Sequence, residues 1–593
     1  MKTCLILVGG VLTLSGCASV REVKVSSFGY DPVDSTRFLQ AALDSGAKRV
    51  IVDRQATPWI STPLFGRSNT ELVFEDGAEI LAKKGEFRDP RDQLLTFANA
   101  TNVVVRGLGE KGGILRMRRD EYLDKAKGYK RSEWRHALNL LGSENVTVEK
   151  MSMCESGGDG VYVSVAYGTG NPHGCRNVTL RDCVMDRNNR QGVSVISVDG
   201  FLMERCTMSN TAGALPMAGI DFEPNMETEP IRNVVMRDCR TVNNRGNGYE
   251  LAFMALSRKS RPVSLTLENC TSEGDALGVY FNGGNYKEKG YVSGEVTLRN
   301  CTIVEPRGYP GIGVRVQRPV STSFVIDGGR CVKDGVTETL DAAWLKAHYP
   351  LLVPGARIAD SKVPAFAKDS VVVDPAPGEM RKLAALCLRN ESCYAFYANA
   401  ARRICFTGRV TFLKAWGKVP ENPVVIRDAA GREVAKLPLP PAGKAVELAF
   451  DAPTPGFYTM EVNPGHHGFT LAEADCPVAV DFAKKQADVM SSVGKTYFHV
   501  PAQKGDFAVY VASGGAGENV GVKVVDAKGA CVLADPTVVG WQVCAGGADA
   551  PSGLWTLELS APAKGRFEDY MLDMAGIPGA LFLSSDRYWK SRE

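Results

Sequence analysis

The sequence predicts an all-β protein: a right-handed parallel β-helix followed by two small β-sandwich domains. Two observations carry this. A strand opening with glycine recurs six times between residues 145 and 316, and from about residue 405 alternating strands joined by turns replace that repeat.

The glycine-opened strands are Gly160-Val161-Tyr162-Val163, Gly192-Val193-Ser194-Val195, Gly219-Ile220-Asp221-Phe222, Gly248-Tyr249-Glu250-Leu251, Gly278-Val279-Tyr280-Phe281 and Gly311-Ile312-Gly313-Val314. Successive glycines lie 32, 27, 29, 30 and 33 residues apart, one solenoid coil per unit. A second strand recurs in phase: Val178-Thr179-Leu180, Phe201-Leu202-Met203, Val234-Val235-Met236, Leu265-Thr266-Leu267 and Val296-Thr297-Leu298. Three residues after each stands a cysteine: Cys183, Cys206, Cys239, Cys270 and Cys301. Strands stacked at about 4.8 Å put equivalent residues in a row, so these thiols form an inward packing ladder rather than a metal site or disulfides. Earlier coils are expected at Arg49-Val50-Ile51-Val52, Thr70-Glu71-Leu72-Val73-Phe74 and Asn102-Val103-Val104-Val105.

These features resemble the pectate-lyase-like superfamily of right-handed parallel β-helices. The resemblance covers residues 27–335 and implies a capping helix from Asp31 to Gly46, with Asp34 or Ser35 as N-cap and Gly46 as its stop. Residues 336–404 read as an irregular linker with a helix-like stretch from Thr337 to His348. Residues 405–482 and 483–593 read as the two sandwiches, modules that bind carbohydrate or serve as spacers; with no aromatic binding platform recognisable in them, the spacer role is the expected one. Cys387 with Cys393, and Cys531 with Cys544, are close enough in sequence to pair as disulfides.

The first residues, a Lys2-led apolar run ending in Leu14-Ser15-Gly16-Cys17, read as an export signal of residues 1–17. Leu-Ser-Gly-Cys resembles a bacterial lipobox. That resemblance implies lipid attachment at Cys17 and a cell-envelope location, with Ala18 pointing to the outer membrane. A formal net charge of +3 on 593 residues gives no reason to expect nucleic acid.

In every glycine-opened strand the residues one and three after Gly are apolar and face inward; alternation turns the others outward. The outward row reads Tyr162, Ser194, Asp221, Glu250, Tyr280, and its companion row includes Glu223, Asn282 and Arg315. Asp221 and Glu223 are about 6.6 Å apart along one strand and Glu250 is one rung, about 4.8 Å, from Asp221. Crowded carboxylates separate into proton donors and acceptors, which is what glycoside hydrolysis needs. Asp221, Glu223 and Glu250 are therefore the candidate catalytic residues. Asp159, Tyr162, Arg190, Tyr280, Asn282 and Arg315 are candidate substrate contacts.

The expected partner is a carbohydrate polymer, with no cofactor required; a calcium site built from the same carboxylates is the alternative. Arg116, Arg118, Arg119, Lys125, Lys127, Lys130, Arg131, Arg135, Arg258, Lys259 and Arg261 would suit an anionic polymer if their loops overhang the ladder; solvated loop charge is the simpler reading. His136 and Trp134 stand at the same place and fit cleft or packing equally. The Asn-x-Asp, Asp-Asp, Gly-His-Gly and Arg-x-Lys set of polygalacturonases is missing; Gly465-His466-His467-Gly468 lies in the sandwich region. Two other functions stay open: a lyase acting on a uronate glycan through Tyr, Arg or Lys groups, and a non-catalytic glycan-binding surface protein.

Overall fold

The structure is a computed structural model describing residues 21–168, 172–283, 290–308, 310–316, 320–349, 352, 361–513, 518–538 and 541–592. The chain divides into two compact units. The first runs to Val193 and adds Phe201–Thr207; the second comprises Ser194–Gly200 and Met208–Glu593.

In the first unit, parallel strands stack into columns of identical burial. Val50, Leu72, Val105, Val148 and Leu180 are successive register partners, one per coil, and all are buried. A second column runs Trp59, Ile80, Leu115, Met153, Met185 and a third Leu64, Leu95, Leu138, Val161. A coil repeat that places the same residue class at the same corner thus builds a core without any long-range sequence match. The helix Thr36–Asp44 buries Leu39, Ala42 and Leu43; Ser35 is its N-cap, Asp34 Oδ1 accepts the Thr36 N–H at 3.0 Å, and Gly46 beyond its end has φ +70°.

The second unit continues the same grammar. Val234, Leu265, Val296 and Phe324 form one column; Ile220, Tyr249, Val279 and Ile312 another; Phe222, Leu251, Phe281 and Val314 a third. The five ladder cysteines, Cys183 and Cys206 in the first unit and Cys239, Cys270 and Cys301 in the second, are buried and in no disulfide. The residue before each, Asp182, Arg205, Asp238, Asn269 and Asn300, sits at φ +49° to +54°, the left-handed corner that turns one strand into the next. The opening glycines have a steric origin. A Cβ on Gly248 would stand 2.5 Å from Thr241 Oγ1, 2.7 Å from Ser272 Oγ and 2.8 Å from Asp275 Oδ2.

Several expectations change beyond the coils. Val336–Thr339 is a strand antiparallel to Thr322–Lys333, and the helix is shorter than its expected span, Ala342–His348, with the Asp341 carboxylate accepting the Trp344 N–H at 2.8 Å. Among the described residues the remainder forms a two-stranded antiparallel sheet, Val371–Val373 with Tyr588–Lys590, and two large antiparallel sheets of nine and ten strands around one apolar core from Leu386 to Leu583. Both sheets contain strands from each expected sandwich. Cys387–Arg389 and Ser392–Ala398, expected in the linker, are interior strands of these sheets: the first pairs with Gly468–Ala474 and Ala487–Met490, the second with Gly456–Val462 and Val478–Asp481. Cys387 and Cys393 therefore fall in different sheets, as do Cys531 and Cys544, and all four thiols are free. Short separation in sequence does not bring them together, because consecutive strands here cross from one sheet to the other.

Candidate functional site

The carboxylate ladder lies in the second unit. Asp221 in Ile220–Phe222 is the direct register partner of Glu250 in Tyr249–Ala252, which pairs in turn with Tyr280 in Val279–Asn282. Asn282 pairs with Ala252 on one side and with Arg315 on the other. The rungs are as the alternation predicts, but their exposure is not. Asp221 is 0% and Glu250 8% exposed, while Glu223, just past its strand and tied by its N–H to the Val195 carbonyl at 3.1 Å, is half-buried. The face expected to be open is thus lined at its centre by buried acids. The rungs abut at one strand spacing, so each large side chain covers its neighbour.

Asn247, one residue before the Gly248 that opens the strand, donates from Nδ2 to Glu250 Oε2 at 3.0 Å. Strand alternation does not single it out because it belongs to the turn; its place three residues before an outward acid is the signal that could have found it. Burial pushes the Tyr280 phenol above its usual range, outweighing the opposite pull of Arg315, and Glu250 adds to the rise. Tyr280 accordingly holds its proton. Arg315 is exposed at the end of the row. Among the described residues, no three His, Cys, Asp or Glu side chains are grouped so as to hold a metal ion.

The first unit holds the other predicted residues. Asp159 and His136 are fully buried, and the His136 ring stacks on Tyr162 with centroids 4.4 Å apart and planes 3° from parallel. His136 Nδ1 accepts the Asp159 N–H at 3.0 Å. Burial, aided by Arg190, pushes the imidazole down to about 3, so it is neutral. The 3.3 Å approach of Asp159 Oδ2 to that same nitrogen is then a contact of two acceptors and not an ion pair. Arg190 carries the charge balance, with Nη1 3.7 Å from Asp159 and Nε 3.5 Å from Glu133 Oε2. Asn139, register partner of both Thr96 and Tyr162, is not among the residues the sequence pattern selects. It is buried with Oδ1 lacking a hydrogen-bond partner among the described residues.

Much of the basic cluster is structural. Arg116 bridges Glu79 and Glu155 at 2.8 and 2.9 Å, Arg135 is buried and donates to the Phe87 carbonyl at 2.8 Å, and Arg261 pairs with Asp199 at 2.7 Å. Trp134 is exposed and His136 is packing. Cys17 lies outside the described residues.

Residues 125–310 match the family model described as a right handed beta helix region. This part of the chain is a right-handed parallel β-helix. The SPbeta prophage-derived uncharacterized protein YorA of Bacillus subtilis (strain 168) is 24% identical over 337 residues, 52% of this chain and 48% of that protein. The match thus spans about half the length of that relative. Among solved structures, an iota-carrageenase complexed to iota-carrageenan fragments is 12% identical with a TM-score of 0.38, over 50% of this chain and 74% of the other. A polygalacturonase from Erwinia carotovora ssp. carotovora is 14% identical with a TM-score of 0.36, over 53% and 93%.

Proposed function

We propose that the chain is a polysaccharide-degrading enzyme, a glycoside hydrolase whose working carboxylates are Asp221, Glu223 and Glu250. The observation that carries this reading is the register pairing of Asp221 with Glu250, two buried acids on adjoining rungs beside half-buried Glu223. Like charges at that spacing in a desolvated place oppose joint ionisation, so one group keeps a proton while another stays a base. The Asn247 amide donates to Glu250, as it would to a carboxylate acting as base or nucleophile, and this leaves Asp221, its register partner, as the acid. Tyr280, Asn282 and Arg315 continue the row as donors to sugar hydroxyls or to a uronate or sulfate.

Elimination at a uronate requires a base near the sugar's C5. Of the two tyrosines in the outward row, Tyr280 is the register partner of Glu250, and its burial keeps it protonated, which favours hydrolysis. In a screen of soluble glycans by reducing-end release, the purified protein should turn over at least one. Asp221→Asn and Glu250→Gln should each lower that rate by about 10³-fold with the circular dichroism spectrum unchanged. Undiminished turnover in both variants overturns the assignment, and a product absorbing near 235 nm, roughly the position expected for a new C=C bond beside a carboxylate, replaces it with a lyase.

The reading includes attachment to the cell envelope through a lipid on Cys17, at the outer membrane. Cys17→Ser should abolish incorporation of radiolabelled palmitate in a bacterial host and move the protein to the soluble fraction.

A further inference from the structure

The antiparallel sheets carry an aromatic surface for which the proposed catalytic row has no use. Phe412 and Trp416 are 47% and 53% exposed, four residues apart on the loop that follows the strand Arg403–Thr411. Large apolar faces left in water at this density mark binding surfaces.

These rings are held in place rather than trailing in solvent. Phe412 stacks on His467, centroids 5.2 Å apart and planes 16° from parallel, and Trp416 lies on His466 at 4.5 Å. The Leu413 N–H donates to His467 Nδ1 at 3.1 Å, the Trp416 N–H to the Leu413 carbonyl at 3.1 Å, and Arg389 Nε to the His466 carbonyl at 3.0 Å. His467 is buried, and its Nε2 has no hydrogen-bond partner among the described residues. Leaving that nitrogen unsatisfied is unfavourable, and what the ring does provide is a flat support under Phe412.

The same loop continues into one wall of a groove of about 470 Å³, lined by Pro420, Pro423, Pro438, Pro440 and Pro441 together with Glu421 and Lys436. Asn422 Nδ2 donates to the Asn463 carbonyl at 3.1 Å, and a Cβ on Gly465, the neighbour of His466, would stand 3.2 Å from Pro420 Cγ, so groove and rings adjoin. Exposed Lys414 and Lys418 flank Trp416.

We propose that this surface binds an acidic polysaccharide. The ring faces of Trp416 and Phe412 take the C–H faces of successive sugars, the proline wall supports the chain, and Lys414 and Lys418 meet its carboxylate or sulfate groups. Aromatic faces suit the flat, weakly apolar side of a sugar ring, and the lysines add charge complementarity. The site binds without turnover, so it is separable from the carboxylate row and does not depend on the hydrolase reading.

Affinity electrophoresis of the full chain in gels containing polygalacturonate, iota-carrageenan or neutral dextran tests it. The expected result is retardation by at least one of the two acidic polymers and none by dextran. Phe412→Ala with Trp416→Ala should weaken retardation about ten-fold, the scale of a lost stacking contact, with the melting temperature unchanged because both side chains are exposed. Lys414→Glu with Lys418→Glu should abolish it. Absence of retardation in both acidic gels, or equal retardation of the aromatic and charge-reversed variants and the parent, overturns the proposal. Conversion of a dimer to a monomer by the aromatic variant, seen by sedimentation without glycan retardation of the parent, would make the surface a self-association face instead.

Discussion

His136 shows how burial assigns a role to one side chain. Its imidazole is neutral because desolvation, reinforced by Arg190, pushes it from about 6.5 in the unfolded chain down to about 3, and its Nδ1 is the acceptor for the Asp159 N–H. Between these values the unfolded chain binds the extra proton and the folded chain does not. Stability should therefore fall as pH drops from 6.5 toward 3, by up to about 1.4 kcal/mol per pH unit, and be insensitive to this group above 6.5. Denaturant titrations at stepped pH would show it. His136→Gln, which keeps an acceptor in place, should flatten that slope.

At the level of a coil, the glycines and the polar turn beneath them are one device. Asp275 is buried and accepts from Thr241 Oγ1 at 2.6 Å, Ser272 Oγ at 2.6 Å, the Asn244 N–H at 2.8 Å and Asn244 Nδ2 at 3.0 Å. Burial still pushes its carboxyl up despite these four donors. Gly248 passes directly over that knot, and any Cβ there meets Thr241, Ser272 and Asp275 below 3.0 Å. Gly248→Ala should destabilise the protein by about 1–3 kcal/mol, whereas Gly505→Ala, with nothing within 4 Å, should change stability by less than about 0.5 kcal/mol. Paired urea titrations of the two variants decide it; equal effects would mean that the glycines serve chain flexibility rather than close approach. A substitution that disturbs Gly248 also moves the strand carrying Glu250, so activity should fall with stability there and not at Gly505.

Across the whole chain, stability owes nothing to disulfides among the described residues, where none of the fourteen cysteines is cross-linked and Cys531 alone is exposed. Burial pushes thiols such as Cys154 and Cys301 up to about 12, which keeps them protonated and unreactive in the folded state. A reductant should leave the melting temperature unchanged, and thiol titration should report about one fast-reacting described group in the native protein and all fourteen in denaturant. A melting temperature lowered by reductant would instead reveal disulfides.

The coil was legible in the sequence because its period is local. Gly160 to Gly311 mark each turn, Cys183 to Cys301 mark the matching corner, and the two-residue alternation of a strand assigns Asp221, Glu250 and Tyr280 to one row without knowledge of any distant contact. Much of the C-terminal strand pattern was legible for the same reason. What the tertiary structure alone decided are the quantities that depend on neighbours from elsewhere in the chain. Burial of Asp221 and the Asn247 donor to Glu250 come from the packing of adjoining rungs and their turns. The pairing of Leu388 with Val489 joins strands about a hundred residues apart, and this antiparallel crossing merges both expected sandwiches into common sheets and keeps Cys387 from Cys393. The stack of Trp416 on His466 likewise joins two loops that alternation along either strand cannot relate. Periodicity specifies which way a side chain points; only the folded chain specifies what it then meets.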